Sequence, residues 1–240
     1  MDRKLDVGGA LSQVFSIYGS QAGVLLPLAF AIFLVVGVVS GLLLGGGGTI
    51  LVLIVLVVGV IANTLYQGMV VTLVSDLQDG NRDFSVGDLA NSAMPVVLPL
   101  IGAGILAGIG IAIGFVLIVI PGLILLTFWS VIAPVIVVER TGVFAAFGRS
   151  WQLVKGNAWR VFGAIVAVFL IVAVARAVLG AIAVGISDTV AMRIIFDVIA
   201  STLTAPIAAL VASVIYFSLK GIKEGGAAAP VEPTPGPATV

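Results

Sequence analysis

"QAGVLLPLAFAIFLVVGVVSGLLLGGGGTILVLIVLVVGVIANTLYQGMVVTLVS", residues Gln21 to Ser75, contains no charged side chain. As one helix it would reach about 80 Å at ~1.5 Å per residue. The hydrocarbon core of a bilayer is only about 30 Å thick, so the run must turn back once. The turn falls at "GGGG", Gly45 to Gly48, where backbone freedom is greatest and helix propensity lowest. Two spans result, at 23–45 and 50–74.

Working outward, Pro95 to Val138 is a second uncharged run, of 44 residues. It would stretch to about 66 Å as one helix, and it too must fold back. "IPG" at Ile120 to Gly122 supplies the break, because Pro removes a donor and Gly tolerates a turn. The arms are 95–117 and 120–138, the second short, carrying Pro134 and expected to be kinked or slightly tilted. Two further apolar segments, 160–186 and 194–219, are separated by "SDTVAMR", Ser187 to Arg193. The fold class is therefore all-α: a polytopic membrane protein with six transmembrane helices in three hairpins. Residues 1–222 form the membrane domain. The tail 223–240, "KEGGAAAPVEPTPGPATV", is rich in Pro, Ala and Gly and is expected to be a disordered cytoplasmic segment.

Composition supports that solvent. The chain is 61% hydrophobic and 9% charged, where a soluble domain carries about 25% charge, and its mean hydropathy is +1.31. It has no cysteine and no histidine, which removes disulfides, thiol chemistry and the commonest metal ligands. Zero net charge without a dense basic patch argues against nucleic acid. The segment before the first span is mixed, and the apolar run after it is too long for a signal h-region, so no cleavable signal peptide is expected. With both termini on one side, that side receives Arg3, Lys4, Arg82, Arg140, Arg149, Lys155, Arg160, Lys220 and Lys223, and the other receives Arg193. The positive-inside rule then predicts a cell-membrane protein with cytoplasmic N and C termini.

Each hairpin is preceded by a short amphipathic segment expected to lie in the interface. In "LDVGGALSQVFSIYG", Val7, Leu11, Val14 and Tyr18 fall at helical spacing. "FSVGDLANSAM" offers a capping box in Ser85 and Asp88, with Val86, Leu89 and Ala93 on one side. "VFAAFGRSWQLVKG" places Phe144, Phe147, Trp151 and Val154 on one stripe, with Arg149 and Lys155 away from it. Val7-Gly8-Gly9, Val86-Gly87-Asp88 and Val143-Phe144-Ala145 align as the openings of three copies of one unit, an interfacial helix plus two spans.

Pro121-Gly122, then "WSVIAPVIVVE" at 129–139, then "AAFGRSWQLVKGNAWRVFG" at 145–163, resembles the membrane domain of glycerophosphoryl diester phosphodiesterases and the YciC-like multi-pass membrane proteins. The ordered set is Pro121, Gly122, Pro134, Glu139, Arg149, Ser150, Trp151, Leu153 and Trp159; the opening "LDVGGALSQVFSIYGSQAGVLLPLAF" also fits. The resemblance implies a membrane module whose phosphodiesterase partner is a separate soluble barrel. Only 21 residues follow Leu219, and the acid and histidine motifs of such a barrel are absent, so phosphodiesterase activity is not expected.

The candidate sites are few. Arg176 and Asp197 lie inside apolar spans at compatible levels on consecutive antiparallel helices. They read as a structural ion pair, as snorkelling, or as the polar core of a substrate path. Asn63 and Gln67 share a face of the second span and are expected to make interhelical polar contacts. Gly37-Gly41-Gly45, Gly104-Gly108 and Gly110-Gly114 read as internal helix seams, with homodimerisation second. Glu139, Arg149, Ser150, Trp151, Lys155, Trp159 and Arg160 form an interfacial motif. There Trp sits at headgroup level and the cations meet anionic lipid, while Glu139 is expected to pair with Arg140, Arg149 or Arg160. No phosphate loop, nucleophile elbow or ligand set is present, so no catalytic residue, metal or cofactor is assigned. The expected role is non-enzymatic: membrane organisation, or a module meeting anionic lipid headgroups on the cytoplasmic face or a membrane-protein partner. The alternative is a transporter or lipid-handling channel built on Arg176 and Asp197.

Overall fold

The structure is a computed structural model that describes residues 4–44, 49–80, 86–186 and 189–225. It is helical throughout the described segments: α1 Val7–Ser20, α2 Ala22–Leu44, α3 Thr49–Gln78, α4 Val86–Ala93, α5 Val97–Leu117, α6 Val119–Phe128, α7 Ile132–Glu139, α8 Val143–Val154, α9 Ala158–Ile186 and α10 Val190–Glu224. Among the described residues, six segments are long and apolar enough to cross a membrane: 22–42, 50–78, 87–117, 119–139, 158–186 and 191–224. Three short helices, α1, α4 and α8, each precede one hairpin, and they begin at the aligned valines Val7, Val86 and Val143. The Gly45–Gly48 turn and the Ser85 half of the capping box lie outside the described residues.

The second hairpin differs in detail from its reading. The chain reverses at Ile118, whose φ of −161° and ψ of 144° end α5, and not at Ile120 to Gly122. Pro121 sits in the first turn of α6, where a missing N–H costs nothing because no intrahelical acceptor precedes it. Gly122 acts by absence of a side chain. A Cβ there would lie 2.6 Å from the Phe115 ring, and one on Gly114 would lie 2.9 Å from the Gly122 backbone. The returning arm breaks at Trp129–Val131 rather than kinking at Pro134, which falls in the first turn of α7. At the other end, α10 runs on to Glu224, and Gly225 closes it in the left-handed region at φ 71°, so Lys223 and Glu224 are helical rather than tail.

Leu5 bonded to Asn157, and Lys223 bonded to the Lys155 carbonyl, place both ends of the described chain on one side. The core lies toward that side. Leu25 to Phe33 of α2, Tyr66 to Val74 of α3, Leu100 and Ala103 of α5, Val161 to Val168 of α9 and Ala209 to Leu219 of α10 pack there with Val131 to Val137. The opposite halves bury little and splay except where α2 meets α10 and α5 meets α6, leaving Val38, Leu42, Ile50, Leu53, Leu117, Val178 and Ile195 exposed. α10 is the central helix, packed against α1, α2, α3, α7, α8 and α9. Its approach to α2 depends on glycine: a Cβ on Gly37 would lie 2.5 Å from Val198 and one on Gly41 3.2 Å from Ile194. Gly110 similarly receives the Trp129 ring, but Gly104 and Gly108 face open space beside exposed Ile105 and Ile109 and form no internal seam.

Candidate functional site

Polar side chains gather in two places. The first is on the side of the termini, where α7, α8 and α10 end together. Arg149 donates from Nε to both oxygens of Glu139, at 3.0 and 2.9 Å, and its Nη2 pairs with Glu224. Tyr216 adds its hydroxyl to Glu139 at 2.9 Å, and Lys220 lies 5.7 Å from the Tyr216 ring centre. The Glu224 hydrogen bond first, and the Glu139 carboxylate after it, push the Arg149 guanidinium above its usual range against the opposing effect of burial, so it stays charged. Of the three expected cations Glu139 takes Arg149. Arg140 is exposed, in the left-handed region at the end of α7.

Arg160 has other work. It donates to the Leu5 carbonyl at 2.8 Å while Asn157 Oδ1 accepts the Leu5 N–H at 3.0 Å. The α8–α9 corner thereby grips both backbone groups of one buried N-terminal residue. Neither Asn157 nor Leu5 stood out in the sequence, because a backbone acceptor has no side-chain signature.

The sequence left the inward face of α8 open, and the packing decides it. Ala146, Ser150, Leu153 and Val154 are buried, while Phe144 is 82% exposed. The small residues let α8 approach closely enough for Ser150 Oγ to bond the Phe128 carbonyl at 2.7 Å, and Phe144 alone of the three rings turns fully outward. Trp151 stacks on Phe128 at 3.9 Å, and Phe147 meets Trp129 edge-on. Trp159, 85% exposed, and Phe162 lean over a groove of about 520 Å³ between α6 and α9, lined by Leu123, Ile124 and Thr127. Lys155 and Arg160, within four residues of Trp159 in the chain, are exposed.

The second place is in the splayed half. Arg176 Nη1 lies 3.3 Å from Asp197 Oδ1, and Nη2 donates to Ser201 Oγ at 3.0 Å. Asn63 is exposed and Gln67 half-buried, and among the described residues neither makes a hydrogen bond to another helix. The packed face of α3 runs through Ala62, Tyr66, Met69 and Val70. The two amides follow one residue on, about 100° around the helix. Tyr66 makes the interhelical bond instead, to the Leu25 carbonyl at 3.3 Å. The buried hydroxyls of Thr72, Thr127, Thr202, Thr204 and Ser213 each bond the carbonyl four residues back on their own helix.

A UPF0259 membrane protein of Pectobacterium carotovorum subsp. carotovorum (strain PC1) is 32% identical over 97 residues, which cover 40% of this chain and 38% of that relative. The chain is an integral, multi-pass membrane protein. The match spans well under half of either protein, and the name of the relative carries no phosphodiesterase label. No protein-family profile matches the chain, and no solved structure does.

Proposed function

We propose that this protein is a non-enzymatic membrane module of the cell membrane, with both termini cytoplasmic, that engages anionic lipid through its cytoplasmic corner. The observation that carries the reading is Trp159, 85% exposed at the start of α9 above an apolar groove of about 520 Å³. An acyl chain fills such a groove, and exposed Lys155 and Arg160 stand where a headgroup would follow. The Glu139–Arg149–Glu224 network supports it by fixing α8, so the platform is preformed. Brominated lipids test this directly. Quenching of tryptophan emission is expected to fall when Trp159 is replaced by Phe, and to weaken in Lys155→Gln with anionic vesicles alone. Equal quenching in all three proteins would refute the reading. A membrane-protein partner on the same corner is the companion role, read by co-purification from the native membrane.

The second reading, a transporter or lipid-handling channel, is favoured by the Arg176–Asp197 pair inside the splayed half. Self-bonded hydroxyls give it little polar path through the packed half. Arg176→Leu abolishing flux at unchanged protein level would establish it; unchanged flux would remove it.

A further inference from the structure

The splayed half holds a second polar feature that the cytoplasmic corner does not explain. On α10, Arg193, Asp197 and Ser201 follow at intervals of four and so share one face. Arg193 and Asp197 look onto Arg176, Gly180 and Ala183 of α9 across a cleft of about 420 Å³, while Ser201 is buried behind its lining. A Cβ on Gly180 would meet nothing within 4 Å, so the wall is recessed there. Arg176 has five N–H donors and spends two, on Ser201 at 3.0 Å and on Asp197 at a long 3.3 Å. Asp197 is 71% exposed and touches Arg176 once, which makes it a replaceable partner. The buried Ser201 hydroxyl accepts from Arg176 and so holds the guanidinium at the cleft wall. Arg193, a second guanidinium, lines the same cleft about 5 Å along α10 from its start.

We propose that the α9–α10 cleft binds the phosphate of an anionic phospholipid from the leaflet opposite the termini. The phosphate takes unused Arg176 donors in place of Asp197, which swings out to solvent, while buried Ser201 keeps its hold on the guanidinium. A planar guanidinium with parallel free donors matches a phosphate diester, and a charge inside a span gains most from such a partner. The remaining lining, Leu179, Val184 and Phe196, is apolar and open sideways, which suits the start of an acyl chain. This site is separate from the Trp159 corner and stands if that reading fails.

Native mass spectrometry of the full chain in nanodiscs of mixed phosphatidylglycerol and phosphatidylcholine tests it. Arg176→Gln is expected to lower retained phosphatidylglycerol about fivefold, the ratio that corresponds to ~1 kcal/mol for one cation at an anionic surface. Asp197→Asn is expected to raise it by removing the competing carboxylate. A purely structural ion pair would lose lipid and thermal stability in both variants, and that result overturns the proposal even if Arg176→Gln folds poorly. Displacement of the lipid by excess inorganic phosphate would assign the cleft to free phosphate and also overturn it. Lys155→Gln reports on the cytoplasmic corner alone, so the two sites fail separately.

Discussion

Arg149 offers its Nε–H to both carboxylate oxygens of Glu139, at 3.0 and 2.9 Å, and thereby ties α8 to the end of α7. Glu139 is 17% exposed, so removing its partner leaves a largely desolvated carboxylate held by Tyr216 alone. Arg149→Met should cost about 2 kcal/mol, less than breaking a fully buried pair because solvent reaches both groups. Thermal melting in detergent reads the loss. In the double variant with Glu139→Gln the combined loss should be smaller than the sum, and strict additivity would deny the coupling.

Asn157 anchors the N-terminal segment through a single backbone contact to buried Leu5. Asn157→Ala strands that N–H at a cost of about 1–3 kcal/mol. Amide exchange over residues 5–20 should accelerate, whereas Asn157→Asp, which keeps the acceptor, should stay protected. Unchanged exchange in the alanine variant would mean that packing and the Arg160 bond to the Leu5 carbonyl hold α1 without Asn157.

The glycines divide by what surrounds them. Gly114→Ala drives a methyl to 2.9 Å from the Gly122 backbone and should lower the melting temperature. Gly104→Ala meets open space and gains helix propensity, up to about 1 kcal/mol in favour of folding. A pair of equal shifts would show that the α5–α6 contact is not tight.

Because the chain has no cysteine, single-cysteine labelling can read its topology cleanly. Ala191 is exposed at the start of α10, and Lys4 is exposed at the other side. A membrane-impermeant maleimide applied to intact cells should label Ala191→Cys and spare Lys4→Cys until the cells are lysed. The reverse pattern would invert the proposed orientation.

Periodicity and charge were enough to read six spans and three preceding short helices, because bilayer thickness limits helix length whatever the neighbours do. Local detail escaped for a different reason. "IPG" reads as a turn, yet Pro121 is as well placed in the first turn of a helix, and only the meeting of Gly114, Gly122 and Phe115 decides which. The ring stripe of α8 was legible as a stripe, but which face would pack inward was not, since in lipid a large apolar side chain gains little by facing inward. Small Ala146 and Ser150 take the inner face because they permit close approach.

Asn63 and Gln67 share a face on a helical wheel, but the rotation of α3 against its neighbours sets that face outward. Glu139 is the converse, since three cations were within reach in sequence and the crossing of α8 over α7 selected Arg149. What the chain of residues determined alone was its solvent, its number of crossings and the side on which its charge collects, all set by transfer free energies summed along the chain. The Arg176–Asp197 pair was legible from the levels of the two residues, but that Ser201 joins it, and which other polar groups meet, was decided by helix rotation, which depends on packing between segments far apart in sequence.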